Sequence, residues 1–249
     1  MSGHSKWSTI KRKKGATDAK RGKIFTKIAR DIQVAARAGG GDPAGNPALR
    51  LALVAAKAAN MPKDNQERAI KKGLGELGGA RIEELTYEGR GPQGASFVVE
   101  VVTDNRNRTV AEVRHVFSKG GGELGSDGSV TWMFERLGVV AVPRESIDED
   151  TLTERVLELG ADDVRDSGDV WIVLCEPSAL HGLSEGLEDL EPGLAEIQYL
   201  PKPESKKTLE GEGAEQVAKF WAKLDDLDDV RNVFTNVELP DDIMEEHGP

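Results

Sequence analysis

Residues 138–142 read Gly-Val-Val-Ala-Val, and residues 170–175 read Val-Trp-Ile-Val-Leu-Cys. These two apolar runs predict buried strands, because short runs rich in β-branched residues are typical of them. Around them the chain alternates between strand and helix patterns. The predicted order is strand 138–142, helix 149–159, strand 162–166, strand 169–175, helix 177–190 and strand 195–200. This βαββαβ order is that of a ferredoxin-like unit.

Residues 82–135 precede this unit and show three strand patterns but one helix pattern, so they lack a partner layer. The chain end offers a further helix and strand after a polar linker, residues 201–213. We therefore expect the end to pair back with residues 82–135, which makes the middle unit an insertion. The predicted elements are strands 82–88, 96–103 and 130–134, helix 107–118, and then helix 214–226 and strand 230–238.

The first third of the chain has helical periodicity. Helix 18–38 is predicted to place Ile24, Phe25, Ile28, Ile32 and Ala35 on one face and Lys20, Lys23, Lys27, Arg30 and Arg37 on the opposite one. Two further helices are expected, one from Asn46-Pro47 to about Asn60 and one from Met61-Pro62 to about Gly73. The sequence thus predicts an α+β protein, with an N-terminal three-helix domain followed by two ferredoxin-like α+β domains, one inserted in the other. The predicted domains are residues 1–80, residues 81–136 plus 207–240, and residues 137–206.

Charge is distributed very unevenly along the 249 residues, whose net charge is −11. Residues 1–80 hold 17 Lys and Arg against 6 Asp and Glu, whereas the rest holds 16 against 38. A basic end on an acidic body favours a polyanionic partner. The single cysteine and the lack of a long apolar stretch lead us to expect a cytoplasmic protein with no membrane partner.

The basic residues are the strongest candidates for contacts with nucleic acid, because lysine and arginine neutralise phosphates. A solvated helix face with a basic tail is the simpler alternative, and a mitochondrial transit peptide is another. Trp7 could stack on a base, but an anchor for the N-terminal arm is the interpretation we favour. The loop 103–109 precedes a helix and adds two arginines. The candidate residues are Lys6, Trp7, Lys11, Arg12, Lys13, Lys14, Lys20, Arg21, Lys23, Lys27, Arg106 and Arg108.

Catalytic and metal-binding patterns are not evident. The histidines lack metal-ligand spacing, and Cys175 lies in an apolar strand typical of core. The acidic cluster Asp225, Asp226, Asp228 and Asp229 is interpreted as a solvated helix end. We expect no enzyme, no cofactor, no bound metal and no small-molecule substrate.

Several motifs together resemble the YebC family over roughly residues 1–240. They are Gly3-His4-Ser5-Lys6-Trp7, Asp18-Ala19-Lys20-Arg21-Gly22-Lys23, Asn60-Met61-Pro62-Lys63-Asp64-Asn65, Thr103-Asp104-Asn105-Arg106-Asn107-Arg108-Thr109 and Gly128-Ser129-Val130-Thr131-Trp132-Met133-Phe134. The resemblance implies a helical N-terminal domain and two α+β domains. It also implies a role in gene expression, since bacterial members are called probable transcriptional regulators that bind DNA. Mitochondrial relatives are translational activators of cytochrome oxidase subunit I, and bacterial members have been tied to ribosomes.

Three functions therefore stay open. The first is a DNA-binding transcriptional regulator. The second is a ribosome-associated translation factor that binds ribosomal RNA, with Arg106 and Arg108 as a second contact. The third is a protein-interaction adaptor whose basic tail only aids solubility or contacts the acidic body.

Overall fold

A computed structural model describes residues 18–78 and 82–249, with side chains from residue 22 onward. Three helices come first, as predicted: α1 (Asp18–Gly39), α2 (Pro47–Ala58) and α3 (Lys63–Gly73). Asn46 begins α2 by accepting a hydrogen bond from the Leu49 amide at 3.1 Å, and Pro47 takes the first helical position. Buried Ile32 and Ala56 lie in the core of these helices.

The remaining elements alternate between strand and helix. In chain order they are β1 (Glu83–Arg90), β2 (Ser96–Thr103), α4 (Arg106–Lys119), β3 (Glu123–Leu124), β4 (Phe134–Pro143), α5 (Glu149–Glu158), β5 (Ala161–Asp166), β6 (Val170–Cys175), α6 (Leu180–Gly186), β7 (Leu194–Pro201), β8 (Lys207–Thr208), α7 (Gly211–Asp225), β9 (Val230–Thr235), β10 (Val237–Glu238) and α8 (Asp241–His247). The strands form two four-stranded sheets and a short parallel pair, β8 with β10.

The first sheet has the order β3-β1-β2-β9, and each neighbouring pair is antiparallel. Because β9 pairs with β2, the C-terminal segment completes the sheet that residues 82–135 begin. Helices α4 and α7 contribute to the core beside this sheet. Its centre is three aromatic rings: Phe220 lies 4.9 Å from Phe97 and 5.2 Å from Phe117, measured between centroids.

The second sheet has the order β5-β6-β4-β7 and is also antiparallel. This is the strand order of a ferredoxin-like unit. Helices α5 and α6 supply Leu152, Val156 and Leu183 to its core. Cys175 is fully buried there, which confirms the prediction from its apolar strand. The fold is α+β, as the sequence predicts.

One predicted strand is absent, and one predicted helix is shorter than expected. Residues 130–134 were expected to form a strand, but Thr131–Met133 is a 3-10 turn. The Glu88 carboxylate accepts the amides of Gly128, Val130 and Thr131, so these groups are not available to a strand partner. The helix expected over 177–190 is present as α6 (Leu180–Gly186), and the chain continues as a 3-10 turn, Glu188–Leu190.

The expected domain boundary at 136/137 lies inside β4, which pairs with β7 along its length. The strand pairings support a division in which one α+β domain is inserted in another. That division is our proposal.

Candidate nucleic-acid interface

The described residues contain part of the expected interface. Lys23 and Lys27 lie on α1, and Arg106 and Arg108 lie in the first turn of α4. The other expected contacts lie outside the described residues or side chains; they are Lys6, Trp7, Lys11, Arg12, Lys13, Lys14, Lys20 and Arg21.

The basic face of α1 meets residues 225–229, which join α7 to β9 and are called the acidic turn below. Lys23 Nζ lies 2.5 Å from Asp226 Oδ1. Lys27 Nζ lies 3.1 Å from Asp225 Oδ1 and donates to the Asp225 carbonyl at 2.7 Å. The solvated helix end expected from the sequence is therefore wrong for Asp225, whose side chain is 20% exposed.

Asp229 is the buried centre of this contact, with a side chain 1% exposed. It accepts hydrogen bonds from Thr109 Oγ1 at 2.5 Å and Thr103 Oγ1 at 3.0 Å, and it pairs with Arg30 and Arg108. Burial alone would raise the pKa of Asp229. The hydrogen bonds from Thr109 and Arg108 and the charge of Arg30 outweigh burial, so the pKa lies below its usual value. The expected solvated position is wrong for Asp229 too.

The two arginines of the loop 103–109 differ in their ion pairs. Asn105 caps α4 by accepting from the Arg108 amide at 3.1 Å, and the Arg108 guanidinium pairs with Asp104 at 3.1 Å as well as with Asp229. Arg106 is exposed and makes no ion pair with a described carboxylate. Burial raises the pKa of Tyr87, and the charge of Arg106 opposes that rise. Arg108 is thus paired with two carboxylates of the fold, whereas Arg106 is exposed and interacts with Tyr87 through its charge.

Further exposed cations, outside the set expected from the sequence, lie on α2 and α3. They are Lys57, Lys63, Arg68, Lys71 and Lys72, none of which pairs with a carboxylate in the described part of the chain. Asp64 and Glu67 share the exposed side of α3. In the sequence, the doublet Lys71-Lys72 within the basic residues 1–80 is the feature that could have identified these cations as candidates.

An open groove of about 650 Å³ is lined by α2, by the short connection after it and by the first turn of α3. Its lining residues are Arg50, Leu53, Val54, Lys57, Asn60, Met61, Lys63 and Gln66. The Gln66 amide donates to the Met61 carbonyl at 2.8 Å, so this side chain is already engaged at the start of α3. The groove combines cations at its rim with apolar side chains such as Val54, which is 62% exposed.

Other contacts between the helices and the α+β part are polar as well. Arg231 on β9 pairs with Asp31 of α1 and lies 3.0 Å from Glu84 Oε2. Burial raises the pKa of Asp31, although the charge and hydrogen bond of Arg231 act in the opposite direction. Arg50 of α2 lies 3.1 Å from Glu185 of α6. The helical region is therefore held to the rest of the chain by ion pairs at several places.

No group of three or more His, Cys, Asp or Glu in residues 18–78 and 82–249 is placed to hold a metal ion. Over the same residues, none of the helices combines the length and the apolar character needed to cross a bilayer.

Comparison with known proteins matches nearly the whole chain. Residues 5–76 match the TACO1/YebC protein N-terminal domain, and residues 82–237 match the TACO1/YebC second and third domain. A protein of Desulforapulum autotrophicum named probable transcriptional regulatory protein is 51% identical over 98% of this chain and 99% of its own length. A protein of the same name from Syntrophus aciditrophicus is 53% identical over 98% of each. A crystal structure of a conserved hypothetical protein from Aquifex aeolicus, 46% identical, covers 91% of this chain and 94% of that one with a TM-score of 0.80. The chain belongs to the TACO1/YebC family.

Proposed function

We propose that this protein is a nucleic-acid-binding regulator of gene expression, and specifically a transcriptional regulator that binds DNA. The observation that carries the proposal is the excess of positive charge in residues 1–80 beside a strongly acidic remainder. The exposed cations of α2 and α3 extend that charge into the described helices. The relatives named probable transcriptional regulatory proteins support the same role.

The proposed binding mode is contact with the phosphate backbone. The lysines and arginines of residues 6–27, together with Arg106, would neutralise phosphates and release counterions. Base readout from a helix start needs free polar side chains there; in the first turn of α3 the Gln66 amide is engaged by the Met61 carbonyl, and the exposed Lys63 suits a phosphate. We therefore propose weak sequence preference in this region. The role is binding, with no catalysis, cofactor or small-molecule substrate, and the proposed location is the cytoplasm.

The test is a salt titration of the full chain on a labelled DNA duplex. Replacement of Lys11, Arg12, Lys13 and Lys14 by alanine should weaken binding and lower the slope of log affinity against log salt by about 3. A matched control removes four exposed cations from the acidic body: Arg90, Lys119, Arg136 and Lys223. Equal losses in both variants would mean that net charge alone matters and would remove the basis for a defined interface.

A ribosome-associated translation factor is the second candidate. The engaged Gln66 side chain supports it as much as it supports DNA binding, because backbone contacts without base readout suit structured ribosomal RNA and DNA alike. Sucrose gradients of cell lysate at two salt concentrations distinguish a translation factor from a DNA-binding regulator. Salt-sensitive sedimentation with ribosomal particles, lost in the Lys11–Lys14 variant, supports translation. A protein that stays at the top of the gradient at low salt argues against it.

The adaptor function gives a third pattern of results. An adaptor should bind nucleic acid weakly, and replacement of Lys11–Lys14 should leave that weak binding unchanged. Weak binding to both DNA and RNA, or binding to both that does not change when Lys11–Lys14 are replaced, would contradict the proposed function.

A further inference from the structure

The basic face of α1 presents three cations to one surface. Lys23, Lys27 and Arg30 are four and three residues apart, which brings them to the same side of the helix. Each meets the acidic turn: Lys23 pairs with Asp226, Lys27 with Asp225, and Arg30 with Asp229. Two of the three are residues proposed above to bind phosphates.

The acidic turn presents several oxygen atoms to these cations, as a polyanion such as a phosphate backbone would. Besides carboxylates, the backbone carbonyls of Asp225 and Asp226 accept from Lys27 and Lys23 at 2.7 and 3.2 Å. Both carbonyls lie at the C-terminal end of α7, where the helix dipole is negative and favours cations. The acidic turn is also held in place, because Thr103, Arg108 and Thr109 bind the Asp229 carboxylate. A preorganised anionic surface therefore occupies the α1 cations.

The outer part of the contact, at Lys23 and Lys27, can open without exposing an apolar core, whereas the Arg30–Asp229 pair is buried. The buried apolar cluster of the helices contains residues between Phe25 and Ile70 and none from the α+β part. Exposed pairs such as Lys23 with Asp226, whose side chains are 44% and 68% exposed, contribute about 0–1 kcal/mol. A polar interface of this kind is the usual setting for relative movement of two domains.

We propose that the acidic turn is an intramolecular competitor of nucleic acid for the basic face of α1. This inference rests on the proposed function. A phosphate that approaches Lys23 or Lys27 is repelled by the carboxylates of Asp226 and Asp225 beside them, so nucleic-acid binding through these lysines competes with the acidic turn. By linkage, any change that weakens the internal contact strengthens nucleic-acid binding.

The first test neutralises the competitor. Asp225→Asn with Asp226→Asn should tighten binding of labelled duplex DNA and of labelled single-stranded RNA about three- to tenfold. The matched control is Asp241→Asn with Asp242→Asn at the start of α8, which changes the net charge equally at two exposed positions. Equal affinities for the two double variants would overturn the inference while leaving the proposed function intact. No binding by any form, wild type included, would reject both.

The second test observes the displacement directly. Zero-length carbodiimide coupling should join Lys27 to Asp225 and Lys23 to Asp226 in the free protein, and mass spectrometry of the digest identifies each link. Saturating nucleic acid should reduce both links. The Lys219–Glu215 pair within α7, at 2.9 Å, is an internal control whose yield should not change. Undiminished α1 links in protein that has bound nucleic acid would overturn the inference.

Discussion

Arg108 Nη2, in the first turn of α4, lies 2.8 Å from Oδ2 of Asp229, which is 121 residues later in the chain. The other oxygen of the same carboxylate pairs with Arg30 of α1. Asp229 therefore joins three segments: the loop 103–109, the acidic turn and the helical region. An arginine that the motif suggested for nucleic acid is part of this internal junction.

The junction predicts a large effect of Asp229→Asn. The amide keeps the shape but loses the charge, and its nitrogen would face hydroxyl and guanidinium donors. We expect the free energy of unfolding to fall by about 2–3 kcal/mol, measured by urea denaturation. Asp228→Asn is the control, because Asp228 is exposed and its side chain makes no described hydrogen bond. Similar losses in the two variants would contradict the role assigned to Asp229.

The lowered pKa of Asp229 predicts acid sensitivity. A carboxylate whose pKa is lower in the folded than in the unfolded state stabilises the fold above the unfolded value. That value is about 3.9, and the contribution is lost as pH falls from there through the folded pKa. The stability difference between wild type and Asp229→Asn should be full at neutral pH and shrink below about pH 4. Urea midpoints across this pH range test it, and a difference that is constant with pH would contradict it.

The sequence predicts elements better than contacts between distant segments. Helix α1 follows from its local periodicity, and strand β6 follows from a continuous apolar run whose six residues are all buried. The Asp229 junction has no local signal: its partners lie 120 and 199 residues away. The contrast between a basic first third and an acidic remainder was the available sign that the two attract each other. It could not identify Asp225 and Asp226 as the partners of Lys27 and Lys23.

Glu88 is a second position, away from the basic helices, at which we expect a substitution to lower stability. Burial would raise its pKa, but hydrogen bonds from the amides of Val130, Gly128 and Thr131 lower it overall. Glu88→Gln places an amide nitrogen where one oxygen accepted these hydrogens. We expect a loss of about 1–3 kcal/mol in urea denaturation. Glu123→Gln, at an exposed position of β3, should have little effect. A neutral Glu88→Gln would mean that the turn at 128–131 does not depend on this carboxylate.

At Gly120 we expect an added side chain to lower stability, because the site is closely packed. It follows α4, and a Cβ atom added there would overlap the ring of Phe220, which is 3% exposed within the aromatic cluster. Gly120→Ala should lower stability by about 1–3 kcal/mol through overpacking. Gly45→Ala is the control, since a Cβ there meets nothing within 4 Å. A thermal melt distinguishes them, and an unchanged midpoint for Gly120→Ala would show that the cluster can make room.

Cys175 provides a probe of the second sheet. Its side chain is fully buried, and burial raises the pKa of its thiol, so the reactive thiolate is disfavoured. Thiol reagents should therefore label it slowly in the native protein and quickly once this sheet unfolds. Gly138→Ala should speed native labelling, because the new Cβ would lie 2.6 Å from Cys175 Sγ, whereas Gly182→Ala, with open space around it, should not. Fast labelling of the wild type in native buffer would contradict the burial, and equal rates in both variants would contradict the packing argument.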